Sequence, residues 1–165
     1  MIKTEQFVIR TIEENDVEFL HSMNSQEFRG DFEEFQFESK CSLTTQYHKD
    51  GFCSDTFQML VVESLDKKPL GFIYLNFIRV GFIRIGIVLC ENCRGMGLGK
   101  QITKTIVHHL FDNYTVVRME ADTDIDNLPA QKVLEGAGFV KEGVLRNYRY
   151  HHGKYHDSFI YSIIK

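Results

Sequence analysis

The chain has 165 residues, 43% apolar and 25% charged, with a formal net charge of −4, a balance that fits one globular domain with a substantial core. The acidic balance argues against general affinity for nucleic acid, and no apolar run approaches membrane-spanning length. Met1-Ile2-Lys3-Thr4-Glu5 lacks the apolar core of a signal peptide, so the cytoplasm is the expected compartment.

In chain order, Gln6–Arg10 reads as a first strand. Asn15 is placed to cap a helix, with Glu18 completing a capping box and Val17, Phe19, Leu20 and Met23 supplying apolar content. Glu27 to Lys40 carries Glu27, Asp31, Glu33, Glu34 and Glu38 among phenylalanines, and Phe28, Phe32 and Phe35 share one helical stripe. That pattern suits a surface helix with solvated acids, or an acidic, aromatic lip for a cationic acceptor. Met59–Glu63 and Leu70–Ile78 read as strands around the turn Asp66-Lys67-Lys68-Pro69, and Phe82–Cys90 as the strand after Gly81.

The stretch from Arg94 to Lys100 follows that strand and opens a helix running to about Asp112, whose apolar face is Ile102, Ile106, Val107, Leu110 and Phe111. Glycines at 95, 97 and 99 let the backbone curl and turn successive N–H groups inward, and the helix adds its dipole. Such a loop is built to hold a phosphate, with Arg94 and Lys100 as flanking charges. A Walker loop is excluded because Arg94 and Gln101 stand where it needs Gly and Ser/Thr, and the dinucleotide fingerprint fails at Lys100.

Val116–Ala121 returns as a strand, completing a strand–loop–helix–strand unit expected to lie parallel in one sheet. Asn127 and Pro129 start a short helix ending before Gly136 and Gly138. The chain closes with strands Val144–His151 and Tyr155–Ile164, turned by His152-Gly153-Lys154. Cys90-x-x-Cys93 has half the spacing of a zinc site, but Cys41 and Cys53 form no second close pair, so no metal is expected. His151, His152 and His156 crowd the hairpin and read as turn-flanking surface residues.

Arg94-x-x-Gly97-x-Gly99 resembles the pyrophosphate loop of the GNAT superfamily of acyl-CoA-dependent N-acetyltransferases. Asn127-Leu128-Pro129-Ala130 through Gly138-Phe139 is similar to the segment after that family's fifth strand. Glu142-Gly143-Val144-Leu145-Arg146, Gly153-Lys154-Tyr155-His156-Asp157 and Tyr161-Ser162 resemble the RimJ/RimL-type ending, from a branch that acetylates N-terminal amines of ribosomal proteins and has relatives acting on small amines.

The resemblance implies a single acetyltransferase domain over residues 1–165, a mixed α/β (α+β) fold with a twisted sheet of about six to seven strands, about four helices and an antiparallel C-terminal hairpin. Acetyl-CoA is the implied co-substrate, lying in a V between the Phe82–Cys90 and Val116–Ala121 strands. Val88 and Leu89 would pair with the pantetheine arm. Backbone amides of Gly95, Met96, Gly97, Leu98, Gly99 and Lys100 would hold the pyrophosphate beside Arg94. Asn127 would touch the arm, and Lys132 would add a phosphate contact. A homodimer is common among relatives.

Two residues depart from the family pattern: Leu134 stands where many members carry a Tyr acid, and Ala130 where the RimJ/RimL type carries Ser. A thiol of pKa about 8.5 leaves readily without that acid. Glu120, Asp122 and Tyr148 are the candidates for moving the amine's proton, with Glu120 and Tyr148 taken as catalytic; Arg84 stands where relatives often carry Glu. An α-amine of pKa near 7.8 is roughly 10% neutral at pH 7, a lysine-like amine about 0.04%, so a site without an evident base favours an α-amine. The expected reaction is direct acetyl transfer to a primary amine, either an N-terminal α-amine or a small amine. The alternatives are a polyamine acetyltransferase and a non-catalytic acyl-CoA sensor.

Overall fold

The computed structural model describes residues 1–25, 28, 30–32 and 34–165. Eight strands form one sheet: β1 (Ile2–Lys3), β2 (Phe7–Thr11), β3 (Phe57–Ser64), β4 (Pro69–Arg79), β5 (Phe82–Leu89), β6 (Arg118–Asp124), β7 (Val140–His151) and β8 (Lys154–Ile164), in the order β1-β2-β3-β4-β5-β6-β8-β7. Four helices among the described residues pack on it: α1 (Asp16–Met23), α2 (Lys40–Asp50), α3 (Leu98–Asn113) and α4 (Leu128–Gly136). None of these helices is long and apolar enough to cross a membrane.

The sheet is buried on both faces. Side chains alternate across a strand, so neighbouring residues serve opposite cores. Val62 and Ile73 join Ile102, Ile106 and Leu110 of α3 in one cluster, while Val61 and Phe72 join Leu20 of α1 and Leu43 of α2 in the other. Each such fully buried side chain contributes about 1.5–3 kcal/mol of transfer free energy. The predicted mixed α/β architecture and terminal hairpin are therefore present, with the short strand β1 added at one edge.

Some expectations need correction. Asn15 sits at the start of α1 in a helical conformation and makes no side-chain cap. Asp16 instead reaches back, its Oδ2 accepting from the Glu13 N–H at 2.7 Å ahead of the helix, and Glu18 turns outward to Lys40. A helix through Glu27–Lys40 does not form across the described part. Gly30 is left-handed (φ +73°), residues 34–39 have no regular structure, and the next helix starts only at Lys40, capped by Ser39. Phe35 and Phe37 are exposed; Glu27 and Glu33 lie outside the described residues. The strand placed at Val116–Ala121 is shifted to Arg118–Asp124, with Val116 buried ahead of it.

Candidate active site

β5 and β6 run parallel but pair only at Phe82–Arg118, Ile83–Met119 and Arg84–Glu120. Beyond these positions they part: β5 continues against β4 to Leu89, and β6 against β8 to Asp124. The opening is the V expected for the cofactor, and half-buried Val88 and Leu89 lie on its β5 arm.

At the open end, a 3₁₀ turn (Glu91–Cys93) leads into the glycine loop. Gly95 and Gly97 are left-handed (φ +76° and +77°), and a Cβ at either would meet nothing within 4 Å. The loop therefore needs glycine for its backbone conformation and stands open beside it. Gly97 precedes α3 without a side-chain cap, and the first turn of α3 holds no acid. Its free N–H groups and the positive end of the dipole are thus available to an anion. Gly99 has a different job: a Cβ there would sit 3.3 Å from Val133, so this glycine lets α3 and α4 approach.

Of the flanking groups, Met96 is exposed. Arg94 donates from Nε to the Leu89 carbonyl (3.0 Å) and from Nη2 to the Phe28 carbonyl (2.8 Å), which fastens the loop to the segment near Gly30. Lys100 and Lys132 are exposed, and the Lys100 stem runs beside Gly136. Asn127 caps α4, its Oδ1 accepting from the Ala130 N–H at 3.1 Å.

Alternation along β6 puts Glu120, Asp122 and Asp124 on one face, where Glu120 and Asp122 meet arginines and Asp124 meets a histidine. Glu120 binds Arg84 (3.1 Å) and Arg118 (2.8 Å), Asp122 binds Arg149 (2.6 Å), and Asp124 binds His151 (2.7 Å). Arg84 Nη1 also donates to the Tyr148 hydroxyl at 3.1 Å. The two predicted catalytic residues are therefore brought together through Arg84. Both Glu120 oxygens are occupied by guanidinium groups, whereas Tyr148 is 41% exposed.

Burial opposes the charge on Arg84, but the acids and Tyr148 around it outweigh that and hold its pKa above the ordinary value. Arg118 extends the chain to Glu142, whose carboxyl is held down to about 2 by Arg118 and Ser162. Leu134 is buried in the core, so it takes no part at the opening. Tyr161 is not an alternative acid: it is fully buried and pushed up to about 12 by burial and by Glu135.

A cavity of about 330 Å³ opens beside the β5 arm, lined by Leu20, Met23, Glu38, Phe52, Tyr74 and Val88 among others. Glu38 accepts from Asn24 Nδ2 at 2.8 Å. The acidic segment thus divides. Glu38 lines this cavity, while Glu34 accepts from the Tyr150 N–H (3.0 Å) and the Asp31 carbonyl accepts from His152 (3.1 Å), both at the β7–β8 tip.

The family model of the Acetyltransferase (GNAT) domain matches residues 6–140. The chain belongs to the GNAT family. GNAT acetyltransferases use acetyl-CoA as co-substrate. Among curated proteins, this GNAT chain is 31% identical over 77 residues to the uncharacterized N-acetyltransferase p20 of Bacillus licheniformis, covering 47% of this chain and 43% of that one. It is 35% identical over 69 residues to the uncharacterized N-acetyltransferase YoaA of Bacillus subtilis (strain 168), covering 42% and 39%. These matches span less than half the length of either relative.

The same GNAT fold is seen in spermidine N-acetyltransferase from Vibrio cholerae in complex with CoA and spermine. The TM-score is 0.88 at 23% identity, over 98% of this chain and 96% of that one. A dodecameric structure of the Vibrio cholerae enzyme in an intermediate state gives 0.83 at 23% identity, over 98% and 95%.

Proposed function

We propose that this single GNAT domain, residues 1–165, is an acetyl-CoA-dependent N-acetyltransferase that moves the acetyl group directly onto a primary amine. The observation that carries the reading is the parting of β5 and β6 beyond Arg84 and Glu120, with an open glycine loop at one end and a cavity beside it.

Acetyl-CoA, when bound, supplies a thioester carbonyl open to attack by a neutral amine. The chain's own contributions are positional and electrostatic. Amides from Gly95 to Lys100 hold the diphosphate at the start of α3, main-chain groups of Val88 and Leu89 hold the extended arm, and Asn127 and Lys132 flank it. The Tyr148 hydroxyl accepts from Arg84, so its own proton points elsewhere and goes to the sulfur as the C–S bond breaks. The proton lost by the amine as the C–N bond forms returns through water to the Tyr148 oxygen. Glu120 acts through Arg84 as a positioning residue, since both its oxygens are engaged.

The acceptor is an N-terminal α-amine, as in the RimJ/RimL-type branch, or a small amine. One observation favours a cationic small amine such as a polyamine: Glu38 stands with the aromatic rings of Phe52 and Tyr74 around the cavity, a set suited to an alkylammonium. The shared fold with spermidine N-acetyltransferases supports the same choice. A homodimer belongs to this reading and is checked by light scattering.

The test is thiol release from acetyl-CoA with a panel of peptides, monoamines and polyamines. Turnover with polyamines and loss of that preference in Glu38→Gln supports the cationic acceptor. Turnover restricted to peptide N-termini supports the α-amine. Tight coenzyme A binding without turnover on any amine means a sensor, and no binding at all removes the proposal.

A further inference from the structure

Asp124, His151 and His156 come together outside the acetyl-transfer machinery described above. Their candidate ligand atoms all lie within 4.8 Å of one another. Asp124 ends β6, His151 ends β7, and His156 lies early in β8, so the cluster joins three strands where the hairpin runs past the end of β6. Of the three hairpin histidines only His152, with its side chain 60% exposed, is a surface residue of the turn; His151 is 8% exposed, and the side chains of Asp124 and His156 are 0% and 14% exposed.

The three groups are arranged as ligands are. The His156 Nε2–H donates to the His151 carbonyl at 3.2 Å, which leaves its Nδ1 lone pair facing Asp124 Oδ2 at 3.9 Å. A ring nitrogen fixed through a backbone carbonyl on its far side is the usual support for a metal-binding imidazole. The two imidazoles stack at 3.7 Å with an interplanar angle of 13°, so one ring has to turn before both can aim a nitrogen at a single ion. Asp124 brings a carboxylate whose Oδ1 accepts from the Asp126 N–H at 2.8 Å, which leaves Oδ2 turned to the two imidazoles. His151 Nδ1 has no hydrogen-bond partner among the described residues, so the cluster is incompletely satisfied as it stands.

We propose that Asp124, His151 and His156 form a site for a divalent transition ion of the zinc type, which clamps the hairpin tip to the end of β6. Two imidazoles and a carboxylate are borderline ligands that favour zinc over magnesium, and three protein ligands leave a fourth position for water. Ligand atoms around a tetrahedral zinc ion stand roughly 3.4 Å apart. The 2.7 Å and 3.9 Å separations around Asp124 bracket that distance, and a turn of one of the stacked rings would complete the site. Binding through His151 Nε2 places that ring's proton on Nδ1, the nitrogen with no partner among the described residues.

The experiment is calorimetric titration of the untagged protein with Zn²⁺ and with Mg²⁺, accompanied by Co²⁺ absorption spectra and thermal melts. One equivalent of Zn²⁺ should bind and raise the melting temperature, while Mg²⁺ should do neither. His156→Gln and the near-isosteric Asp124→Asn should each weaken Zn²⁺ about 100-fold or more and abolish the thermal shift. The proposal is overturned by absence of Zn²⁺ binding, by unchanged affinity in either folded variant, or by a thiolate-to-cobalt charge-transfer band, which would place the ion at the cysteines.

Discussion

Arg84 and Glu120 stand opposite each other at the last register position shared by β5 and β6, and their side chains close a 3.1 Å ion pair there. The pair marks the vertex of the V, and Arg84 also holds the Tyr148 hydroxyl at 3.1 Å. Arg84→Ala would leave Glu120 with Arg118 alone and free the Tyr148 ring. We expect a loss of about 1–3 kcal/mol in urea unfolding and a lower kcat, with the KM for acetyl-CoA little changed. A variant with full stability and full kcat would show that the pair is idle.

Tyr148→Phe removes only the hydroxyl. If that group delivers the proton, kcat should fall by about 10²-fold or more while coenzyme A affinity by calorimetry stays the same. An unaltered kcat would assign proton transfer to water or to another group.

Gly97→Asp is the clean test of the loop. The left-handed backbone makes any side chain cost about 1–2 kcal/mol, but the Cβ has open space, so the fold should survive. The added carboxylate would face the bound diphosphate, and coenzyme A affinity should fall at least about ten-fold; Gly97→Ala separates strain from charge. Gly99→Asp is less informative because its Cβ would press on Val133 and Leu89.

Glu142 gives a pH test. Its carboxyl falls from an ordinary 4.5 to about 2 on folding, held by Arg118 and Ser162. A depressed folded value means the contribution is present above about 4.5 and is lost as pH falls toward about 2. Melting temperatures of the parent and of Glu142→Gln should differ near neutrality and converge across that window. A constant difference would mean the carboxylate does not sense folding.

The glycine loop, the strand before it and the helix after it are legible in the sequence because local chemistry alone dictates them. Gly95 and Gly97 are required by backbone conformation, and the apolar stripe of α3 by its period. The capping box fails because Asn15 is itself helical and Glu18 turns to Lys40, and the phenylalanine stripe fails because Gly30 interrupts the turn geometry, which spacing alone does not register. The pairing of Glu120 with Arg84 needed the register of β5, and those of Asp122 with Arg149 and Asp124 with His151 the register of β8 and β7, all set by contacts distant in sequence. The position of Glu38 beside Tyr74 and Val88 is likewise tertiary. Alternating acids at 120, 122 and 124 were the one local signal pointing there.

A sheet that divides in mid-course has an edge on its inside. Ile85–Leu89 and Ala121–Asp124 turn rows of main-chain donors and acceptors toward a gap whose outer flanks are already closed by β4 and β8. An ordinary exposed edge invites any passing strand; this one admits a single slender guest, over a length of about 16 Å on the β5 side. What such a gap measures is the spacing of amides along the visitor, so a compound with the correct end groups but no peptide-like stem should fit poorly, however well it matches the loop.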